Sequence, residues 1–339
     1  MSQVRPHMPL ADQLDDDLRR VDQAIEEVVD EPHPLASTVM THLLRSGGQR
    51  LRPRLAMLAG RVVETSLGDA PRDLVDAAVA AELVHLGTLH HDDVIDDSTI
   101  RRGVDTVNAL WGNTVAILAG DYLLARATQV ASGMGTETGR ALAECICDMV
   151  RGQILESGYL FNPGRSIDDY LAAIDGKTAR LMGAACWLGA RVCGGDEASV
   201  AALDDYGRLT GRAYQMLDDL VDLCADAETA GKPTGVDIRE GVYTMPLLLA
   251  LHDRPELGES LRPGIAEEDA ARVRAAVLAT PGPSETVTAV ARETERARQA
   301  LEAVDERSEA AKHELAEFAT RIAIKAASTV DAVTPTRHG

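Results

Sequence analysis

The sequence predicts an all-α protein, and three observations carry that expectation. Apolar residues recur every three or four positions along most of the chain, as they do on one face of a helix. Aromatic residues make up only 3% of a chain that is 45% hydrophobic, so the core must be built mainly from Ala, Leu and Val, which suits helices better than sheets. Runs of alternating Val, Ile and Thr that would form strands are absent. The expected architecture is a single large helical bundle over residues 1–339, with ten or more helices. Residues 1–34 carry an N-terminal helix and residues 330–339 a frayed tail.

The elements follow in order. Leu10, Leu14, Leu18, Val21, Ile25 and Val28 give the first helix one apolar stripe, and its Asp15, Asp16 and Asp17 read as a solvated face. Further helices are expected over 35–46, 53–65, 71–97, 105–133, 137–158, 168–193, 197–225, 241–252, 266–280 and 285–328. The breaks between them, such as "SGGQRLRP", "FNPGRS", "CGGDE" and "AGKPTGVD", are too short to be interdomain linkers. No repeat at a fixed period of 20–50 residues is present, so a solenoid is not expected.

Charge and composition bound the function. The formal net charge is −20, without a basic stripe, which argues against nucleic acid as a partner. The five cysteines, Cys145, Cys147, Cys186, Cys193 and Cys224, lack zinc spacing and read as reduced thiols. "LWGNTVAILAGDYLLA" is interrupted by Asn113 and Asp121, and the N-terminus has no apolar signal region, so a cytoplasmic protein without a transmembrane segment is expected.

Two acidic motifs echo one another, "DDVID" at 92–96 and "DDLVD" at 218–222. On a helix, Asp92 and Asp96 share a face, as do Asp218 and Asp222, with Asp93 and Asp219 flanking. Two carboxylates about 4–5 Å apart repel by roughly 3–4 kcal/mol at an effective dielectric near 20. On open surface that cost is smaller, and a solvated acidic face is the bland reading. Both motifs, however, continue from apolar helix, "AELVHLGTLHH" and "TGRAYQML". A carboxylate cluster emerging from a core-facing helix needs a partner. A hard divalent cation such as Mg2+, sharing its shell with phosphate oxygens, is the natural one.

Cations lie beside each motif. Arg101 and Arg102 follow the first, Lys177 and Thr178 lie between the two, and Lys232 follows the second. "GGQRLRP" places Gln49, Arg50 and Arg52 on a glycine-rich turn, where backbone and guanidinium donors can both meet phosphate. Each alone reads as a surface charge. Together they imply a site for two phosphate esters.

With these residues in view, the chain resembles the trans-isoprenyl diphosphate synthases, and among them the bacterial long-chain polyprenyl diphosphate synthases. The likeness rests on "GGQRLRP", "ELVHLGTLHHDDVIDDSTIRRG", "AILAGDYLLARA", "GQILE", "KTARL", "GRAYQMLDDLVDL" and "GKPTGVDIREGVYTMPLL". The resemblance implies an isoprenoid synthase fold with a central apolar cavity, a homodimer, and three Mg2+ ions per active site. It implies that Asp92 and Asp96, with Asp93 beside them, serve two metal ions, and that Asp218 binds a third with Asp219 and Asp222. Arg101, Lys177 and Lys232 would grip the allylic diphosphate. Arg52, Arg102 and His85, with Arg50 and Gln49 nearby, would bind isopentenyl diphosphate. Thr178 and Gln215 would sit near the developing carbocation. The implied reaction ionises the allylic C–O bond, lets the isopentenyl alkene attack the cation, and loses a proton from the adjacent carbon.

Two positions depart from the family pattern. Gln49 stands where Lys is usual, and Val242 where many members carry Lys. Neither is a metal ligand, so affinity rather than activity is at stake. By resemblance, Gly87, Thr88 and Val84 line the product tunnel before Asp92. Small residues at Gly87 and Thr88 leave that tunnel open and imply a product beyond C15, with Trp111 or Leu123 and Leu124 as candidate floors. The implied product is a polyprenyl chain of the C30–C50 type used for quinone side chains. The alternatives are a C20 geranylgeranyl product, a non-catalytic subunit of a heteromeric synthase, and a terpene cyclase. The cyclase reading sits poorly with two intact DDxxD motifs. His90 reads as a core or dimer-facing residue rather than a ligand.

Overall fold

Helices make up nearly all the ordered structure, as the periodicity predicts. The computed structural model describes residues 9–64, 69–224 and 235–333. In chain order the helices are α1 (Leu10–Val29), α2 (Pro34–Arg45), α3 (Leu51–Val63), α4 (Arg72–Ile95), α5 (Val107–Trp111), α6 (Asn113–Gly133), α7 (Thr136–Gly158) and α8 (Ile167–Ile174). They continue with α9 (Arg180–Val192), α10 (Glu197–Cys224), α11 (Val236–Glu240), α12 (Met245–Asp253), α13 (Glu267–Leu278), α14 (Gly282–Ala300) and α15 (Glu309–Asp331).

The chain divides into two compact units. Residues 1–146, 184–204 and 303–315 form the first, and 147–183, 205–302 and 316–339 the second. In the first unit α4 packs against α6, α3 and α1. Its sequence explains why: from Leu74 to Leu89 almost every side chain is apolar and buried, so the helix needs neighbours on most sides. In the second unit, Tyr170, Met216, Leu220, Tyr243, Leu247 and Val290 belong to one apolar cluster that α8, α10, α12 and α14 share.

Several expectations need correction. A two-stranded hairpin, β1 (Ile100–Arg101) and β2 (Val104–Asp105), pairs Ile100 with Asp105 and Arg101 with Val104. Strands this short carry no periodic signal. Their turn is legible only in hindsight, because Arg102 and Gly103 both take positive φ, as tight hairpin turns demand. The helix expected over 105–133 breaks at Gly112, whose φ of 84° suits glycine alone. The helix expected over 285–328 breaks at 301–308, where the backbone donors of Arg307 and Ser308 turn away to the carbonyl of Val62. Asp17 is not on a solvated face. It is buried, ion-paired to the buried Arg61 and to Arg20, and it accepts from the Ala70 amide at 3.2 Å. The frayed tail expected over 330–339 is still helical at Val330 and Asp331, with Val330 buried, and 334–339 lie outside the described residues.

Candidate active site

The first motif closes α4. Asp92 lies on the last turn, Asp93 behind it, and Asp96 is the C-cap, its amide bonded to the Asp92 carbonyl at 2.8 Å. Carboxylates here meet the negative end of the helix dipole, and no basic residue occupies the last turn to offset it. The end of α4 is therefore strongly electronegative and suited to a cation. Asp93 points inward with no accessible surface, and Arg101 Nε donates to its Oδ1 at 2.6 Å. Burial pushes the Asp93 carboxyl up, and Arg101 opposes that shift. The Asn108 side-chain amide donates to the Asp93 carbonyl at 3.1 Å and to the Ser98 carbonyl at 2.9 Å, which ties the β1–β2 hairpin to the end of α4. The hairpin thus delivers Arg101 and Arg102 beside the motif.

A cationic cluster lies further along the same helix. Arg50 caps α3 in the left-handed region, φ 47°, and its Nε donates to Asp22 at 2.6 Å. Its Nη1 donates to Glu82 at 3.2 Å and its Nη2 to the Leu44 carbonyl at 3.2 Å. Arg102 donates to the Gly47 carbonyl, and a Cβ at Gly48 would lie 2.8 Å from Arg102 Nη1, so the glycine lets the guanidinium lie against the turn. His85 faces Arg52, Arg102, Arg101 and Arg50. Burial first, and these cations second, hold its ring well below the ordinary histidine value, so it is neutral at pH 7. Gln49 is exposed on the turn. Thr88 is half-buried, with Oγ1 donating to the His85 carbonyl at 2.9 Å. Val84 is fully buried. Gly87 faces α6, where an added Cβ would lie 3.0 Å from the Gly120 carbonyl and 3.2 Å from Leu124 Cγ.

The second motif belongs to the second unit, on α10. Asp218 is exposed, whereas Asp219 and Asp222 are buried. Tyr170 donates its hydroxyl to Asp219, and Gln215 Nε2 donates at 3.0 Å. Burial raises the Asp219 carboxyl despite these donors. The backbone amides of Val236 and Asp237 approach the Asp222 carboxylate at 3.4 Å, at the start of α11. Thr178 Oγ1 donates to Gln215 Oε1 at 2.8 Å, and Lys177 Nζ pairs with Glu156 at 2.5 Å. Both Lys177 and Thr178 stand on a π-helical turn, Asp175–Ala179, between α8 and α9. Such turns insert an extra residue into a helix and re-aim its side chains. α7 presses against this turn at Gly152, where a Cβ would lie 2.4 Å from the Lys177 amide nitrogen. Lys232 lies outside the described residues.

The structure therefore brings Arg50, Arg52, Arg102 and His85 together, and places Lys177, Thr178 and Gln215 together. Sequence reasoning missed Glu82, Asn108, Tyr170 and Glu156, the partners that hold these side chains. A buried Glu within "AELVHL" was the one available signal, since a lone carboxylate on an apolar helix needs a cation.

Among the described residues, no group of three or more His, Cys, Asp or Glu is arranged to hold a metal ion unaided. The donors at the end of α4 are hard carboxylate oxygens, which fits Mg2+ bound jointly with an anionic ligand's oxygens. No helix among the described residues is long and apolar enough to cross a membrane.

The polyprenyl synthetase family model matches residues 33–279. A nonaprenyl diphosphate synthase of Mycobacterium tuberculosis is 36% identical over 287 residues, 83% of this chain and 85% of the relative. The crystal structure of a decaprenyl diphosphate synthase from Rhodobacter capsulatus matches with a TM-score of 0.84 at 32% identity, covering 97% of this chain and 100% of the other. That of a heptaprenyl diphosphate synthase from Staphylococcus aureus matches with a TM-score of 0.86 at 27% identity, covering 92% and 98%. The chain belongs to the polyprenyl synthetase family.

Proposed function

We propose that this polyprenyl synthetase elongates an allylic diphosphate with isopentenyl diphosphate, head to tail and trans, to a long-chain polyprenyl diphosphate. The observation that carries the reading is the pairing at the end of α4: outward carboxylates for a metal ion, and Arg101 fixed beside them by Asp93. Metal-type and anion-type groups at one spot suit a diphosphate leaving group.

Family members are generally Mg2+-dependent. Here Asp92 and Asp96, and separately Asp218 with Asp219 and Asp222, would hold up to three Mg2+ ions, which neutralise charge on the departing diphosphate. Arg101, Lys177 and Lys232 bind the allylic diphosphate. Glu156 pairs with Lys177 until the anion takes its place. Arg52 and Arg102 bind the diphosphate of isopentenyl diphosphate, and the neutral His85 donates one hydrogen bond. Arg50, held by Asp22, Glu82 and the Gly47 and Leu44 carbonyls, supports that site from beneath, so Arg52 and Arg102 must offset the charge lost at Gln49. Thr178 and Gln215, bonded to each other, offer oxygen lone pairs to the developing cation. The small side chain at Thr88 favours a product beyond C15, and the likeness to long-chain synthases favours C30–C50 over the C20 alternative.

The acting form is a homodimer. Ile117 and Leu118 on α6 are 43% and 60% exposed, two of several large apolar side chains on the surface, and a second copy would cover them. Its place is the cytoplasm.

Purified protein with Mg2+, farnesyl or geranylgeranyl diphosphate and labelled isopentenyl diphosphate tests this directly. Longer prenyl diphosphates are expected. No elongation with any allylic primer rejects the reading, and a cyclised hydrocarbon points to a cyclase.

A further inference from the structure

Glu82 lies ten residues before Asp92 on α4, and its residue is only 1% exposed. A carboxylate buried in an apolar helix is costly unless cations surround it. Three do: Arg50 donates to its Oε1 at 3.2 Å, and Arg52 and Arg102 act on it through space. Its Oε2 makes no hydrogen bond, so the carboxylate faces the cluster without being used up by it. The arginines in turn depend on the cluster. Arg50 and Arg102 both hold positive φ, 47° and 52°, a strained backbone that persists only where side-chain bonds enforce it. Both donate to the Gly47 carbonyl.

We propose that Glu82 is a positioning residue: the buried anion that holds Arg50, Arg52 and Arg102 at the spacing a diphosphate needs, and so sets affinity for isopentenyl diphosphate without touching it. The inference rests on the reading that Arg52 and Arg102 bind that diphosphate. Two effects oppose when Glu82 is neutralised. The local potential becomes more positive, which attracts an anion. The guanidiniums also lose their shared counter-charge, repel one another and drift. The second effect wins, because Arg50, which pairs with Glu82, is a strut turned into the protein, and because guanidinium–phosphate contacts depend on fixed fork geometry.

The test compares Glu82→Gln, Glu82→Asp and Arg52→Gln in the full-length protein. KM for each substrate, kcat and Tm are measured. Glu82→Gln is expected to raise KM for isopentenyl diphosphate about tenfold, with KM for the allylic diphosphate within about twofold. Glu82→Asp keeps the charge but draws it back by one methylene, and is expected to raise the isopentenyl KM by a smaller factor, about threefold, with the allylic KM unmoved. An unchanged or lowered KM for isopentenyl diphosphate in folded Glu82→Gln overturns the inference. So does a parallel rise in both KM values with a fallen Tm, which marks a merely structural role. If Glu82→Gln does not fold, Glu82→Asp decides: a selective rise in the isopentenyl KM supports the inference, and no change overturns it. Arg52→Gln separates the two levels. If it leaves the isopentenyl KM unmoved, the site assignment itself fails, and the role of Glu82 with it.

Discussion

The Nε of Arg101 lies 2.6 Å from Oδ1 of Asp93, a carboxylate with no accessible surface. The middle aspartate of the first motif therefore faces into its own unit and orients a cation, while Asp92 and Asp96 lie toward the end of the helix. Asp93→Asn preserves shape but removes the charge that fixes Arg101. Turnover should fall about 10- to 100-fold, as when the outer partner of a metal-site group is lost. Asp92→Asn should cost more, about 1,000-fold or beyond. Steady-state kinetics on both variants checks this. An equal loss in the two would mean that Asp93 ligates metal itself.

Thr88 and Gly87 are neighbours with different duties. An added Cβ at Gly87 meets the α6 backbone at Gly120, whereas Thr88 is half-buried and bonds back to the His85 carbonyl. Thr88→Phe should shorten the product while Tm stays near that of the parent. Gly87→Phe should instead destabilise the fold by about 1–3 kcal/mol through overpacking. Product chromatography with thermal melts distinguishes them. A stable Gly87→Phe with a shortened product would place the tunnel wall at residue 87.

His85 gives a pH dependence with a definite sign. The unfolded chain takes up a proton there as pH falls below about 6.5. The folded protein resists, because burial and the arginines hold the ring well below that value. The native state binds fewer protons, so stability declines as pH drops through this range. The loss of Tm between pH 7 and pH 5 should be smaller in His85→Gln than in the parent. Identical losses would mean that the ring is protonated in the fold.

Asp17 and Arg61 form a buried pair between α1 and α3. Asp17→Ala leaves an uncompensated buried guanidinium and should cost about 3–5 kcal/mol. Chemical denaturation measures it. A loss below about 1 kcal/mol would show the pair to be dispensable.

The helical class and both acidic motifs were legible because they rest on periodicity and on charge density, which local sequence displays. What escaped was long-range or very short. Asp17 looks solvated among three consecutive aspartates until Arg61, 44 residues away, is packed against it. The hairpin at 100–105 has two residues per strand, too few for any pattern. The π turn at Asp175–Ala179 depends on α7 pressing at Gly152, a contact that no local signal announces. The cations near the motifs could be named from local charge, and Glu82 only as a lone carboxylate on an apolar helix, while Tyr170 and Glu156 carried no such signal.

The proposed function requires both aspartate motifs for Mg2+-dependent binding of an allylic diphosphate. A double-mutant cycle on Mg2+-dependent binding of an unreactive allylic thiolodiphosphate tests it most directly, by calorimetry on Asp92→Asn, Asp218→Asn and the double variant. The account predicts that either substitution alone removes most of the Mg2+-dependent affinity and that the second adds little. Losses that simply add, or retention of Mg2+-dependent binding by either single variant, would contradict it.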